Sequence, residues 1–139
     1  MRLPEDEARR RFTAARVLRL ATVDERGRPH LVPAVFAAVG RTVFMAVDQK
    51  PKRHQDLRRL HNIRATPEVS LLVDHYEEEW QRLWWVRADG TARVLGEDED
   101  RTEPIRRLAA KYPQYEGQLP RGAVIDVTVD RWTGWAFSE

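Results

Sequence analysis

The sequence predicts a mainly β domain: a small antiparallel barrel of six strands carrying three short helices. Three observations lead there. Six segments of the 139-residue chain have strand length and strand patterning, at 17–23, 28–37, 42–47, 68–76, 82–96 and 123–137. The first two are separated by a four-residue turn, so pairing starts as a hairpin and not as a βαβ unit. The second strand is apolar on both faces, as a barrel or sandwich wall or an interface strand is. A closed or split barrel is the economical arrangement, because it hides sheet edges that would otherwise pair with other chains.

Each element has a local cause. Residues 4–15 (PEDEARRRFTAA) read as a helix, with Pro4 suited to a first turn and Glu5, Asp6 and Glu7 at the positive end of its dipole. VLRLATV (17–23) alternates. Asp24 to Gly27 forms the hairpin turn, with Gly27 taking a positive φ. RPHLVPAVFA (28–37) puts Val32, Ala34 and Phe36 on one face and Leu31, Val35 and Ala37 on the other. Pro33 within it cannot donate to a ladder, so it belongs at a sheet edge or a bulge. Gly40 and Arg41 turn the chain into TVFMAV (42–47). A helix over roughly 53–61 follows, with Leu57, Leu60 and Ile63 on its inner side, and Pro67 closes that segment. EVSLLVDHY (68–76) is a strong strand, EEEW (77–80) a polar break, and RLWWVRADGTARVLG (82–96) a long strand with Gly90 at a bulge or bend. An acid-led amphipathic helix covers 97–112, and AVIDVTVDRWTGWAF (123–137) closes the sheet.

The chain reads as one domain over residues 1–139, without repeat, low-complexity tract or linker. With no cysteine it has no disulfide framework, thiolate metal site or thiol nucleophile. The N-terminal residues lack the apolar core of a secretory signal, and no apolar run approaches the roughly 18 residues that span a bilayer. A cytoplasmic protein without a membrane partner is the expectation. Lys+Arg is 24 against 22 Asp+Glu, with the two signs interleaved, which argues against a nucleic-acid partner. The positive charge is almost all arginine; the chain has only three lysines, and Lys50 and Lys52 lie together in DQKPKRHQDLRR (48–59).

No standard catalytic motif is present, and the four histidines have no metal-ligand spacing. Neither Ser70 nor Ser138 has a visible base. No catalytic side chain and no metal ligand is therefore assigned. Two features remain. Adjacent Trp84 and Trp85 must face opposite sides of their strand: one fills the core, and the other is structural too or meets an interface or a planar ligand. The basic stretch at 48–59 is either a solvated helix start or an anion site, since free N–H groups and cations converge at a loop-to-helix junction.

The order and spacing of these pieces resemble a known family. LATVDERGRPHLVPAVF, a further strand, K-x-K-R-x-x-x-L, L-R-R-x-x-N-I, P-x-V-S-L-L-V-D and W-V-R-A-D-G-x-A look like the pyridoxamine 5'-phosphate oxidase-like split-barrel flavoproteins. Within that family, DHYEEEWQRLWWVRADGTA is similar to small deazaflavin (coenzyme F-420)-dependent oxidoreductases. The resemblance implies a six-stranded split barrel forming a homodimer, with a cofactor in each of two clefts between subunits. It implies that Lys52 and Arg53, with Lys50 nearby, hold the cofactor phosphate. It implies that the backbone of Val32, Pro33, Ala34 and Val35 meets the tricyclic ring, and that Trp85 and Arg87 approach the cofactor from the next wall or subunit. The expected activity is hydride transfer between reduced coenzyme F-420 and an unsaturated small organic substrate, with FMN as the alternative cofactor. Trp132 and Trp135 stand between aromatic lining and core.

Two departures favour the deazaflavin branch over vitamin B6 oxidation. The chain ends WTGWAFSE, without the Arg- and His-bearing tail of the phosphate oxidases, and Trp85 stands where their FMN-binding glutamine is expected. Spare arginines also suit the long anionic tail that the deazaflavin coenzyme has and FMN lacks.

Overall fold

The computed structural model describes residues 1–47 and 53–138, with side chains throughout except at 53–57. The chain opens with helix α1 (Glu5–Ala14), whose first turn carries Glu5, Asp6 and Glu7 and whose buried residues, Ala8 and Phe12, are one turn apart. Strands β1 (Leu18–Val23) and β2 (Pro29–Ala34) follow, then β3 (Ala37–Val39) and β4 (Thr42–Ala46). Helix α2 (Arg53–Ala65) leads into β5 (Glu68–His75) and β6 (Trp84–Leu95), helix α3 (Thr102–Lys111) and the long β7 (Val124–Ala136).

The turn between β1 and β2 forms as its residues require. The Asp24 carboxylate accepts the backbone N–H groups of Arg26 and Arg28, both at 2.9 Å, and Gly27 takes φ 80°. Those backbone donors, Arg28 first, hold the Asp24 carboxyl below its ordinary range.

Among the described residues one sheet contains seven strands, in the order β2-β1-β5-β6-β7-β4-β3, so six was one too few. The extra strand arises because the expected strand 28–37 is two strands. β2 pairs with β1, and β3 pairs with β4 at the far edge of the sheet. Two residues, Val35 and Phe36, join them. Laid flat, the two edges would stand about 29 Å apart, six steps of roughly 4.8 Å, whereas three trans peptide steps reach about 11 Å. The sheet must therefore curl until its edges meet, and Val35–Phe36 crosses the seam of the resulting barrel. Apolar character on both faces, read as one continuous wall strand, belongs to two edge strands and the crossing between them. Pro33 lies in an edge strand, as its missing N–H requires.

The barrel interior is lined by Leu18, Leu20, Val43, Met45, Leu71 and Val86, all essentially inaccessible. α1 plugs one end through Phe12, whose ring meets Phe36 at 5.2 Å and Trp132 at 5.1 Å in tilted and edge-on geometries. Trp132 is core, which settles one of the two closing tryptophans. α2 inserts Leu60 and Ile63, and its buried Asn62 donates to the Thr22 hydroxyl at 3.1 Å. α3 starts at Thr102, five residues later than the acid run suggested. Glu99 accepts the Gly96 N–H and Asp100 accepts the Thr102 N–H, so those acids shape the entry instead of joining the helix.

The bulge lies where Gly90 placed it. Between β6 and β7 the register shifts at Asp89/Gly90, leaving Asp130 as an extra residue of β7. A Cβ at position 90 would stand 2.2 Å from the Thr128 carbonyl oxygen, so only glycine fits there. Arg41 ties the bulge down, donating from Nε to the Val129 carbonyl at 3.0 Å and from Nη2 to the Asp130 carbonyl at 2.8 Å.

Candidate functional site

Strand alternation assigns the two adjacent tryptophans as expected. Trp84 turns towards α1 and packs on the core, with the Arg11 guanidinium 5.4 Å from its ring centre. Trp85 turns to the outside of the barrel, half-buried, with the Arg87 guanidinium 5.6 Å from its ring centre. The partner strand places Trp135 directly beside Trp85, also on the outside.

Register defines the rest of this outer face. Pro33, Arg19, Leu72, Arg87 and Thr133 form one row across five strands. Leu31, Ala21, Ser70, Asp89 and Arg131 form the next. Asp74, Trp85 and Trp135 form a third. The face is apolar at its ends: Leu31 is 68% exposed on β2, and Phe137 beyond β7 stands 6.4 Å from Trp135, edge-on. Between them lies a polar cluster. Asp89 accepts the Ser70 hydroxyl at 2.5 Å and the Arg87 Nε–H at 3.2 Å, and Arg131 lies 3.7 Å away.

The expected site residues divide on this frame. Trp85 and Arg87 are in contact. Pro33 lies in Arg87's row and on its face, but three strand steps away, roughly 14 Å. Val32 and Ala34 turn inward and pack against the main core, and Val35 packs with Ala37, Leu108 and Tyr112. Of residues 32–35 only Pro33 is exposed, in an edge strand. Lys50 and Lys52 lie outside the described residues. Arg53 is the first residue of α2, and its side chain is likewise outside them. One subunit therefore does not bring β2 and the Trp85–Arg87 pair to a common point.

Sequence reasoning missed a second group, at the seam. The Tyr112 hydroxyl, supplied from just after α3, accepts the Phe36 N–H at 3.0 Å and stands 2.8 Å from the Phe36 carbonyl and 2.9 Å from the Arg16 carbonyl. It replaces the ladder bonds that Phe36 gives up in crossing between edges. Lys111 beside it donates to the Ala15 carbonyl at 2.7 Å and the Thr13 carbonyl at 3.3 Å, at the end of α1, and its Nζ lies 3.8 Å from the centre of the Phe36 ring. No sequence signal marks either residue, because these partners are 75 or more residues distant. His30 has no assigned role in the sequence. It turns inward on β2 with a buried Nδ1 lacking a partner among the described residues, and burial followed by Arg58 and Arg59 lowers its pKa.

Burial, and then Arg16, lowers the Lys111 amine from 10.5 to about 8. Between those values the unfolded chain holds a proton that the folded chain has released, so stability rises with pH across that window. Lys111→Met is expected to flatten this alkaline rise. Denaturation midpoints from pH 7.5 to 10.5 that climb equally in variant and wild type would refute the assignment.

Among the described residues no cluster of three or more metal-ligating side chains occurs, and no helix is long and apolar enough to cross a membrane. A family model described as pyridoxamine 5'-phosphate oxidase matches residues 4–136. No curated protein matches the chain. Solved structures share the fold at low identity. A FAD-binding protein from Mesorhizobium loti aligns at TM-score 0.75 and 20% identity, over 96% of this chain and 95% of its own. A FAD-binding protein from Mycobacterium smegmatis aligns at 0.68 and 19% over both chains entire. The heme storage protein HutZ from Vibrio cholerae aligns at 0.71 and 22%, over 98% and 95%.

Proposed function

The chain belongs to the pyridoxamine 5'-phosphate oxidase family, and from that premise we propose that it is an oxidoreductase binding a tricyclic flavin-type cofactor between two copies of itself. The observation that carries the reading is the outward Trp85 with Arg87 against its ring: an aromatic surface with a cation on it, half-exposed on an otherwise ordinary sheet face. A planar, anionic ligand matches both. The half of the site on β2 is about 14 Å away on the same face. A two-fold arrangement of two chains would set β2 of one copy against β6 of the other, as an isologous interface does. The exposed Leu31 and Pro33 are then covered rather than left to water.

The finer reading is coenzyme F-420, with hydride moving between the reduced deazaflavin and an unsaturated small organic substrate. The arginine surplus supports it, since the deazaflavin tail is long and anionic. FMN or FAD is the alternative, favoured by the two FAD-binding proteins of the same fold. When bound, the cofactor supplies the hydride chemistry. The chain's part is to hold and orient. Lys52 and Arg53, with Lys50 nearby, bind the phosphate through charge-assisted hydrogen bonds. The backbone of residues 32–35 and Trp85 flank the ring, and Arg87 fixes its anionic side. No side chain is assigned a proton: Asp89, the acid in contact with Arg87, is already engaged by Ser70 and Arg87.

The test is a fluorescence titration of one protein sample with coenzyme F-420, FMN and FAD in parallel, beside light scattering. Saturable binding of F-420 alone supports the finer reading, and binding of flavins alone supports the alternative. No binding of any of the three ends the proposal, and a clean monomer at micromolar concentration ends the shared cleft. The heme storage protein of the same fold favours a second reading, a non-catalytic binder. It would be recognised by tight uptake without any change in the rate at which the bound cofactor exchanges electrons.

A further inference from the structure

We propose that Asp89 is a positioning residue for Arg87, and that the two make an anion subsite beside Trp85. The inference rests on the cofactor face proposed above and extends it to residues nothing else assigns. Asp89 occupies one side of the guanidinium only: its Oδ2 accepts from Arg87 Nε at 3.2 Å, and no other hydrogen-bond partner of Arg87 occurs among the described residues. The two Nη atoms have no hydrogen-bond partner among the described residues, and theirs is the edge that matches a carboxylate or phosphate in a two-bond fork. The guanidinium is held from a second direction by the Trp85 ring. Asp89 is itself braced, since Ser70 donates to its other oxygen at 2.5 Å. The bulge at Asp89/Gly90 sets Arg131 opposite the same carboxylate, 3.7 Å away.

The arrangement has a specific consequence. A free arginine must be ordered when it takes an anion, and that ordering subtracts from affinity. Here the ordering is done in advance by an acid that, by its charge alone, repels the anion. Charge and position therefore predict opposite signs for the same substitution. If Asp89 acted only as a negative charge, Asp89→Asn would tighten anion binding. As a positioning residue, its loss weakens it.

The anion can be the phosphate or acidic tail of the cofactor, or the ring itself in its negatively charged reduced form. Fluorescence titrations with riboflavin, FMN, dithionite-reduced FMN and coenzyme F-420 separate these sources. A loss seen with FMN and F-420 but not riboflavin assigns the tail; a loss confined to reduced FMN assigns the ring. Arg87→Gln is expected to weaken the responding ligand about tenfold, the scale of one charge-assisted hydrogen bond. Asp89→Asn is expected to weaken it several-fold, Asp89→Glu to restore part of that loss, and the double variant to bind no more weakly than Arg87→Gln alone. Should Asp89→Asn fail to fold, Ser70→Ala withdraws only the brace and carries the same sign at smaller size. Equal or tighter binding by the Asp89 variant, with Arg87→Gln impaired, overturns the positioning role and leaves the cofactor face standing. Wild-type affinity in Arg87→Gln overturns the subsite. A wild-type protein that takes up none of the four ligands overturns the cofactor face and this inference together.

Discussion

Tyr112→Phe is expected to destabilise the protein by about 2–4 kcal/mol while leaving its packing unchanged. The ring stays, so no cavity opens. What is lost is the hydroxyl that serves the Phe36 N–H and the carbonyls of Phe36 and Arg16. A buried donor or acceptor left without a partner costs about 1–3 kcal/mol, and at least the Phe36 N–H is left in that state. For a domain of this size the corresponding drop in Tm is roughly 7–14 °C. Thermal and denaturant unfolding would measure it. A variant that melts with the wild type would mean that the seam is satisfied in another way, and that the barrel is not closed through this hydroxyl.

The second large effect concerns the cofactor. Replacing Lys52 and Arg53 together by alanine should weaken binding of the accepted cofactor by about 3–6 kcal/mol, more than a hundredfold in Kd, because each charge-assisted hydrogen bond is worth about 1.5–3 kcal/mol. The fold should survive, since the barrel interior described above is built from other residues, and far-ultraviolet circular dichroism would check that. The loss should also shrink for a ligand lacking the phosphate. Wild-type affinity in the double variant would remove the phosphate assignment without touching the outer-face site at Trp85, which has its own substitutions.

Much of the fold was written locally. The Asp24–Gly27 turn, the acid-led start of α1, the glycine at the bulge and the opposite faces of Trp84 and Trp85 each follow from a residue and its immediate neighbours. The strand at 28–37 did not yield to the same reasoning, because its break is imposed by closure. Nothing within PHLVPAVFA forbids one long strand; the geometry of seven paired strands does. The start of α3 escaped for a different reason. A run of acids is compatible with a first turn or with side-chain acceptors for the backbone before it, and here Glu99 and Asp100 take the second role. At the proposed site, strand period sets Trp84 and Trp85 on opposite faces, and Arg87 enters only through the family resemblance. Asp89 and Ser70 were invisible, since their meeting depends on β5 lying beside β6 in one register. Tyr112 and Lys111 depend on α3 folding back over a seam that the sequence does not announce.

The seam also governs how the chain can fold. β3 and β4 follow β2 at once in sequence, yet β4 finds its other neighbour only in β7, and the N-terminal residues also pair with β7: Leu3 donates to the Gly134 carbonyl, and Ala136 to that of Met1. The strand that follows every other one is thus the strand on which both the hairpin β3–β4 and the first residues wait. Such closure is dominated by contacts distant in sequence, whose loop entropy is spent before they repay it. A fragment ending before residue 124 would keep β1, β2, β5 and β6 as an open sheet, with its β6 edge exposed to other chains. Closure of the barrel therefore waits on the thirteen residues of β7.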